Sequence, residues 1–436
     1  MDKFIGKAFK GDKVVWVVFI LLFCISIVEM FSASSSLVHK SGSIYGPISK
    51  HLVMFIIGFV GFLFVQICNF RILRLLGYLG LAASFVFLIC LTLGFGVEQA
   101  GAARFFVLFG VQFQPSELAK LSLLVVTADQ IERFQNPEKQ AKNYYKFMLV
   151  IFIICGLIFL ENLSTAALLF IVLMTIMAIG EVQFKRIFIT ISIVVSIVAV
   201  ILLVAWQIPE ETYQTYDNKA IKLFERAYTW VARIENFFVD DDASSENKFK
   251  VTTANFQENH AQMAIARGGF FPKGPGTSVE SNYLPEAFSD FIFAIIVEEL
   301  GAIVGIIVIL LYLILLYRAG QVARQSDSLF AAILVIGVSL MIVVQALFHI
   351  CVSVRIAPVT GQPLPLISRG GTSIIINSVY FGIIILVTRY IQQQQQQKQA
   401  MQTATEENNS KVDAPTASNT DSNTEEIKEI EVIKEV

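Results

Sequence analysis

For a chain of 436 residues, hydrophobic residues at 55%, charged residues at only 16% and a mean hydropathy of +0.66 leave too little charge to cover a globular surface. The formal net charge of −2 offers no general attraction to nucleic acid. These figures exclude a secreted disulfide scaffold, a disordered protein and a DNA-binding module, and the chain reads as an integral membrane protein.

A membrane helix needs about 20 mostly apolar residues to cross ~30 Å of hydrocarbon. Windows of that length predict ten spans, at residues 14–36, 50–68, 72–95, 116–132, 145–161, 163–181, 185–206, 287–317, 328–352 and 371–391. The first follows Lys3, Lys7, Lys10 and Lys13 and precedes Ser32-Ala33-Ser34, as a signal peptide would. Its apolar stretch is longer than the roughly 7–15 residues of a signal h-region, so it is a retained helix.

Ten spans place both termini on one side of the membrane. Sixteen basic residues fall on that side: Lys3, Lys7, Lys10, Lys13, Arg71, Arg74, Arg133, Lys139, Lys142, Lys146, Lys185, Arg186, Arg318, Arg324, Arg389 and Lys398. Only Lys40, Lys50, Arg104, Arg355 and Arg369 fall on the opposite short loops. The positive-inside rule therefore puts both ends in the cytoplasm and a large loop, residues 207–286 between spans seven and eight, outside. The expected organisation is a cytoplasmic tail at 1–13, an all-α ten-helix membrane domain at 14–391 and a cytoplasmic tail at 392–436. That last tail, opened by Gln392 to Gln397, has four lysines, nine acids and no aromatics, and such a segment is expected to be disordered.

Cys24, Cys68, Cys90, Cys155 and Cys351 lie in apolar runs without CxxC spacing, so they indicate neither a disulfide frame nor a metal site. His39, His51, His260 and His349 are scattered without ligand spacing and predict no zinc.

The informative residues are polar ones on the predicted outer side. In Tyr283-Leu284-Pro285-Glu286-Ala287-Phe288-Ser289-Asp290, Pro285 suits a first helical turn and sets Glu286 and Asp290 four apart on one face. Asp290 then lies about 7 Å along from the helix start, near the headgroups. The plain alternative is an interfacial acid favouring the positive helix end. Arg104, Arg355 and Arg369 oppose the topological bias, and their planar forks match phosphate oxygens, although headgroup snorkelling is open to each of them. Together, carboxylate and arginines suggest a site for a lipid-linked phosphate.

Two stretches are shaped for close backbone approach: Arg267 to Gly276, which includes Lys273, and Pro358 to Gly371, which includes Gly361, Ser368 and Gly370. Ordinary turns use the same residues. Glu117 and Lys120, three apart at the start of span four, can pair, and Glu298 and Glu299 fall about 18 Å along span eight from Pro285. Ionisable residues inside a membrane point to function by default; Glu298 and Glu299 are expected to be structural.

Taken in order, these motifs resemble the SEDS family (shape, elongation, division and sporulation), the family of FtsW, RodA and SpoVE, and its FtsW branch most. The resemblance rests on Phe113 to Lys120, Gln262 to Gly276, Leu284-Pro285-Glu286-Ala287, Asp290 to Ala294, Glu298 to Gly301 and Pro358 to Ser373, and covers residues 14–391. It implies a ten-helix peptidoglycan glycosyltransferase of the cytoplasmic membrane. Such an enzyme polymerises lipid II on the outer face beside a class B penicillin-binding protein, with other division proteins as partners.

By the same resemblance Asp290 is the essential acid, Arg104 the arginine before the fourth span, and Glu117 and Lys120 the charged residues of that span. Asp290 is then the expected general base, with Arg104, Arg355, Arg369 and Lys273 holding pyrophosphate and Glu117, Lys120, Glu286, Ser368, Gly370 and Gly371 in support. A divalent cation, Mg2+ or Mn2+, would suit the pyrophosphate, yet no dedicated ligand set is visible and no residue is assigned to metal. Two departures stand out: Phe105 replaces the usual tryptophan, and Asn162 replaces the usual aspartate at the start of span six. The rival readings are a lipid II flippase using Lys120, Glu298 and Glu299, a division scaffold, and an elongation role of the RodA type.

Overall fold

The computed structural model describes residues 11–41, 45–99, 102–108, 111–135, 137–207, 229–233, 235, 237, 255–284 and 287–412. Three helices come first, α1 (Lys13–Ser41), α2 (Tyr45–Ile67) and α3 (Phe70–Thr92). Next is an antiparallel sheet of three strands, β1 (Val97–Gln99), β2 (Ala102–Leu108) and β3 (Val111–Phe113). Four more helices follow, α4 (Pro115–Phe134), α5 (Pro137–Glu161), α6 (Leu163–Ile179) and α7 (Phe184–Gln207). Beyond the partly described connection come α8 (Phe256–Gly268), a 3-10 turn at Glu280–Asn282 and the single turn α9 (Ala287–Asp290). The chain then forms α10 (Ile292–Arg324), α11 (Leu329–Ser353) and α12 (Gly371–Val412).

Seven of the described helices are long and apolar enough to cross a membrane, and α2 and α6 carry shorter apolar stretches. With its multi-pass helices the chain is a membrane protein. α4 lacks the composition of a span because it carries Glu117, Lys120, Asp129, Glu132 and Arg133, yet most of its residues are buried among its neighbours. The charges are tolerable there because they are paired. Glu117 meets Lys120 at 2.7 Å, and Asp129 takes Arg133 at 2.9 Å, Arg74 at 3.4 Å and the Tyr78 hydroxyl at 2.7 Å. α7 is the opposite case, apolar all round and exposing Phe188, Val195, Val200 and Trp206 as a lipid-facing helix does.

The structure departs from the sequence reading at two places and adds a helix at a third. The bundle is all-α as expected, but the connection before α4 is a small sheet, held on α3 by Phe87, whose ring centroid lies 5.7 Å from Phe106 and 5.5 Å from Phe113. The connection between α7 and α9 contains a helix, α8, with four buried positions at Asn259, Ala261, Ala264 and Gly268. The polar tail expected from 392 is helical as far as Val412, in keeping with the good helix propensity of Gln, Lys, Ala and Met. Residues 1–10 and 413–436, parts of the two predicted tails, lie outside the described residues.

α10 is broken at Gly301, with φ 80° and ψ 164°. A β-carbon there would lie 2.6 Å from the Phe270 carbonyl oxygen, so only glycine admits the segment that follows α8. That segment plugs the break: Ala302 N–H donates to Gly269 O at 2.9 Å, and Lys273 N–H and Gly274 N–H donate to Glu299 O at 2.8 and 3.0 Å. Glu299 also accepts from the Ser32 hydroxyl at 2.5 Å, Gly276 N–H at 3.2 Å and Ser278 N–H at 3.2 Å. Glu298 accepts from the Ser278 hydroxyl at 2.5 Å and Val279 N–H at 3.1 Å. Both acids are structural, as their sequence suggests, and they satisfy irregular backbone that bilayer depth would otherwise penalise.

Candidate functional site

Asp290 ends the single turn α9, and Phe291, at φ −127° and ψ 18°, separates that turn from α10. The continuous helix expected from Pro285 is therefore a turn, a break and then a helix; Pro285 and Glu286 themselves lie outside the described residues. The Ser289 hydroxyl donates to Asp290 Oδ1 at 3.0 Å. The other carboxylate oxygen faces Gly361, where an added β-carbon would lie 3.1 Å from Oδ2 and where φ is +66°. Glycine thus lets the backbone of the loop at 358–370 form one wall against the acid.

Two guanidinium groups share this field. Arg104, on β2, is largely desolvated, which draws it down from its ordinary value, while the negative charges of Asp290 and Glu161 push it back up. Its buried Nε has no protein hydrogen-bond partner. Arg233, from the short helical stretch at 229–233, donates from Nη1 to Val359 O at 2.9 Å. Its residue surface reaches solvent, but the guanidinium is crowded: desolvation and then Arg104 lower it, and Asp290 raises it. The Asp290 carboxylate therefore faces the Gly361 backbone with two cations in its field, and Glu161 adds a second negative charge beside Arg104. Such an array can accept a proton on one side and neutralise an anion on the other. Arg233 escaped sequence reasoning because long loops carry no topological weight, and nothing in its neighbourhood marks it.

The loop at 358–370 is held by side chains that reach its carbonyl groups. Gln345 Nε2 donates to Pro363 O at 2.9 Å and the Tyr312 hydroxyl to Pro365 O at 2.6 Å. The Ser26 hydroxyl donates to Ile367 O at 3.2 Å, and His349 Nδ1 bonds Gln362 O at 2.7 Å. Gln345 also accepts from Lys120 Nζ at 3.2 Å, so the buried Glu117–Lys120 pair supports this loop through one amide. Ser368 accepts from Leu364 N–H and donates to Ser289 O, both at 2.7 Å, while Arg369 N–H donates to Phe288 O at 2.9 Å. These last bonds tie the loop directly to the turn that carries Asp290.

The remaining candidates separate. Gly370 opens the last helix by accepting from Ile374 N–H at 3.0 Å, and Gly371 passes close to β3, 3.1 Å from Gln112 O to an added β-carbon. Arg369 is exposed, with His51 within its field. Arg355 is a non-glycine residue at φ 59°, and its Nε pairs with Glu258 on α8 at 3.5 Å. Lys273 belongs to the plug at Gly301, its Nζ donating to Arg267 O. Asn162, one of the two departures from the family pattern, caps α6 by accepting from Ser164 N–H at 3.0 Å and Thr165 N–H at 3.3 Å. Among the described residues no group of three or more His, Cys, Asp or Glu side chains is placed to hold a metal ion.

Comparison with known proteins gives one family: residues 12–393 match the FtsW, RodA and SpoVE family, described as "Cell cycle protein". A probable peptidoglycan glycosyltransferase FtsW from Taylorella equigenitalis is 31% identical over 347 residues, 78% of this chain and 87% of that one. The corresponding protein of Enterococcus hirae is 29% identical, covering 86% of this chain and 92% of its own. A chain solved in work on coordinated polymerization and crosslinking by a peptidoglycan synthase complex superposes with TM-score 0.64, 22% identity and coverage of 88% and 99%. The rod shape determining protein RodA of Thermus thermophilus superposes with TM-score 0.58 at 22% identity, covering 87% of this chain and 97% of that one. At that identity the structures show a shared fold.

Proposed function

The chain belongs to the FtsW, RodA and SpoVE family, and from that premise we propose that it is a peptidoglycan glycosyltransferase polymerising lipid II at the outer face of the cytoplasmic membrane, with both termini inside. Relatives named FtsW and the "Cell cycle protein" description support a role in cell division rather than elongation, and the solved complex that coordinates polymerization and crosslinking supports a crosslinking partner; in this reading the partners are a class B penicillin-binding protein and other division proteins. The observation that carries the reading is the seating of the Asp290 carboxylate against Gly361, in a loop to which Arg233 is bonded through Val359 O, with Arg104 and Arg233 both in the field of that carboxylate.

Asp290 takes the proton of the acceptor sugar's 4-hydroxyl as that oxygen attacks the donor's anomeric carbon. The bond from that carbon to the pyrophosphate oxygen breaks, configuration inverts, and polyprenyl pyrophosphate departs. Arg104 and Arg233 stabilise the charge that grows on it, and the exposed Arg369 is available to its outer end. Arg355 and Lys273 serve less directly, the first engaged by Glu258 and the second by the plug. A Mg2+ or Mn2+ ion would, in this reading, arrive on the pyrophosphate of the substrate.

The flippase reading loses its motive, since Lys120, Glu298 and Glu299 are bonded within the protein rather than lining a path. In the test, folded Asp290→Asn protein with its transpeptidase partner is expected to make glycan strands from lipid II at least about 100-fold more slowly. Near-normal synthesis would remove Asp290 from the chemistry.

A further inference from the structure

We propose that His349 is a positioning residue for Asp290, a single imidazole that sets the distance between the loop walling the carboxylate and the helix that follows it. The inference rests on the reading of Asp290 as general base. His349 is 1% exposed on α11. Nδ1 lies 2.7 Å from Gln362 O, and Nε2 lies 3.5 Å from Phe293 N. The first partner is a carbonyl and can only accept; the second is an N–H and can only donate. The ring is therefore neutral, with its proton on Nδ1 and a lone pair on Nε2.

Each partner adjoins the acid. Gln362 follows Gly361, whose α-carbon faces Asp290 Oδ2, and Phe293 stands in the first turn of α10, three residues beyond Asp290. Gln362 is pinned from the other side as well, its Nε2 donating to Thr165 Oγ1 at 2.8 Å. Gln345, one turn earlier on the same face of α11, repeats the arrangement at Pro363 O. The ring is the member of this set that bonds both the loop and α10. No ligand spacing marks His349 in the sequence, because its partners are backbone groups.

Substitutions can separate geometry from bulk. His349→Asn keeps a donor at the Nδ1 position. His349→Leu fills the space and makes neither bond. His349→Gln reaches toward Phe293 N–H and gives up the donor to Gln362. Each would be purified with the transpeptidase partner and its melting temperature measured, and strand synthesis would be followed against lipid II concentration per folded molecule. The Asn variant is expected within about threefold of the unaltered kcat and the Gln variant about tenfold below it. The Leu variant is expected about 100-fold below, with KM within about threefold throughout.

A ring that merely fills space predicts the reverse order, Leu above Asn, and that order overturns the proposal. So does a loss carried by KM, or, where the Leu variant does not fold, a Gln variant as fast as the unaltered protein. Absence of strand synthesis by the unaltered protein would instead remove the reading of Asp290 and this inference with it, a result distinct from any ordering of variants.

Discussion

The two glycine-rich stretches look alike in the sequence and are built in opposite senses. At 358–370 the loop offers carbonyl oxygens, and Ser26, Tyr312, Gln345 and His349 reach in from the helices to donate to them. At 273–279 the segment offers N–H groups, accepted by the main-chain carbonyl of Glu299 and by the carboxylates of Glu298 and Glu299. The first arrangement leaves the loop's glycine face turned to Asp290; the second uses its glycine contact to mend a broken helix. Composition reports that backbone comes close to something. Only the neighbours decide whether that is a reacting group or a structural gap.

If the distinction is right, damage to the two regions should read differently. The largest effect is expected from Lys120→Met, which leaves Glu117 buried without its cation and should cost about 3–5 kcal/mol. Melting should fall steeply, and the double variant with Glu117→Gln should recover much of the loss. A single variant that melts like the unaltered protein would show the pair to be ornamental.

Next comes Gly301→Ala, whose β-carbon meets Phe270 O in a backbone region nearly closed to other residues, at about 1–3 kcal/mol. Strand synthesis per folded molecule should be unchanged. A specific loss of turnover there would make the plug part of the site.

The smallest stability change, about 1–2 kcal/mol, is expected from Gly361→Ala. Its methyl group presses on the Asp290 carboxylate, so turnover should drop at least about tenfold. Equal turnover in the two alanine variants would dissolve the contrast between the regions.

Much of this was legible beforehand. Nine of the described helices show themselves by apolar stretches, seven of them long enough to span, and α4 is legible as a helix despite its charges because Leu123 to Val126 are apolar between them. Chemistry and resemblance point to Asp290, Arg104 and Ser368; Arg104 lies in the field of Asp290, and Ser368 bonds the carbonyl of the residue before it. What stayed hidden has a common cause. The strands β1 and β3 are too short for a period-two pattern to register, and β2, which carries Arg104, reads Ala-Ala-Arg-Phe-Phe-Val-Leu without alternation. Arg233 and His349 act through partners 126 and 13 residues away, which no local spacing reveals. The pairing of Arg355 with Glu258 likewise joins distant segments, so an arginine that looks free for phosphate is already engaged.

The interruption at Gly301 leaves a nine-residue stub, Ile292 to Leu300, above a long shaft that ends at Arg324. Such a stub is only about 14 Å tall. It is moored at its top by the His349 ring and at its base by the residues around Glu299. When the bilayer thins or thickens, a tilting helix normally adjusts along its whole length. A break at Gly301 is where a leaning shaft would bend, so the expected consequence is that the depth of Asp290 follows the moorings of the stub and not the tilt of the shaft.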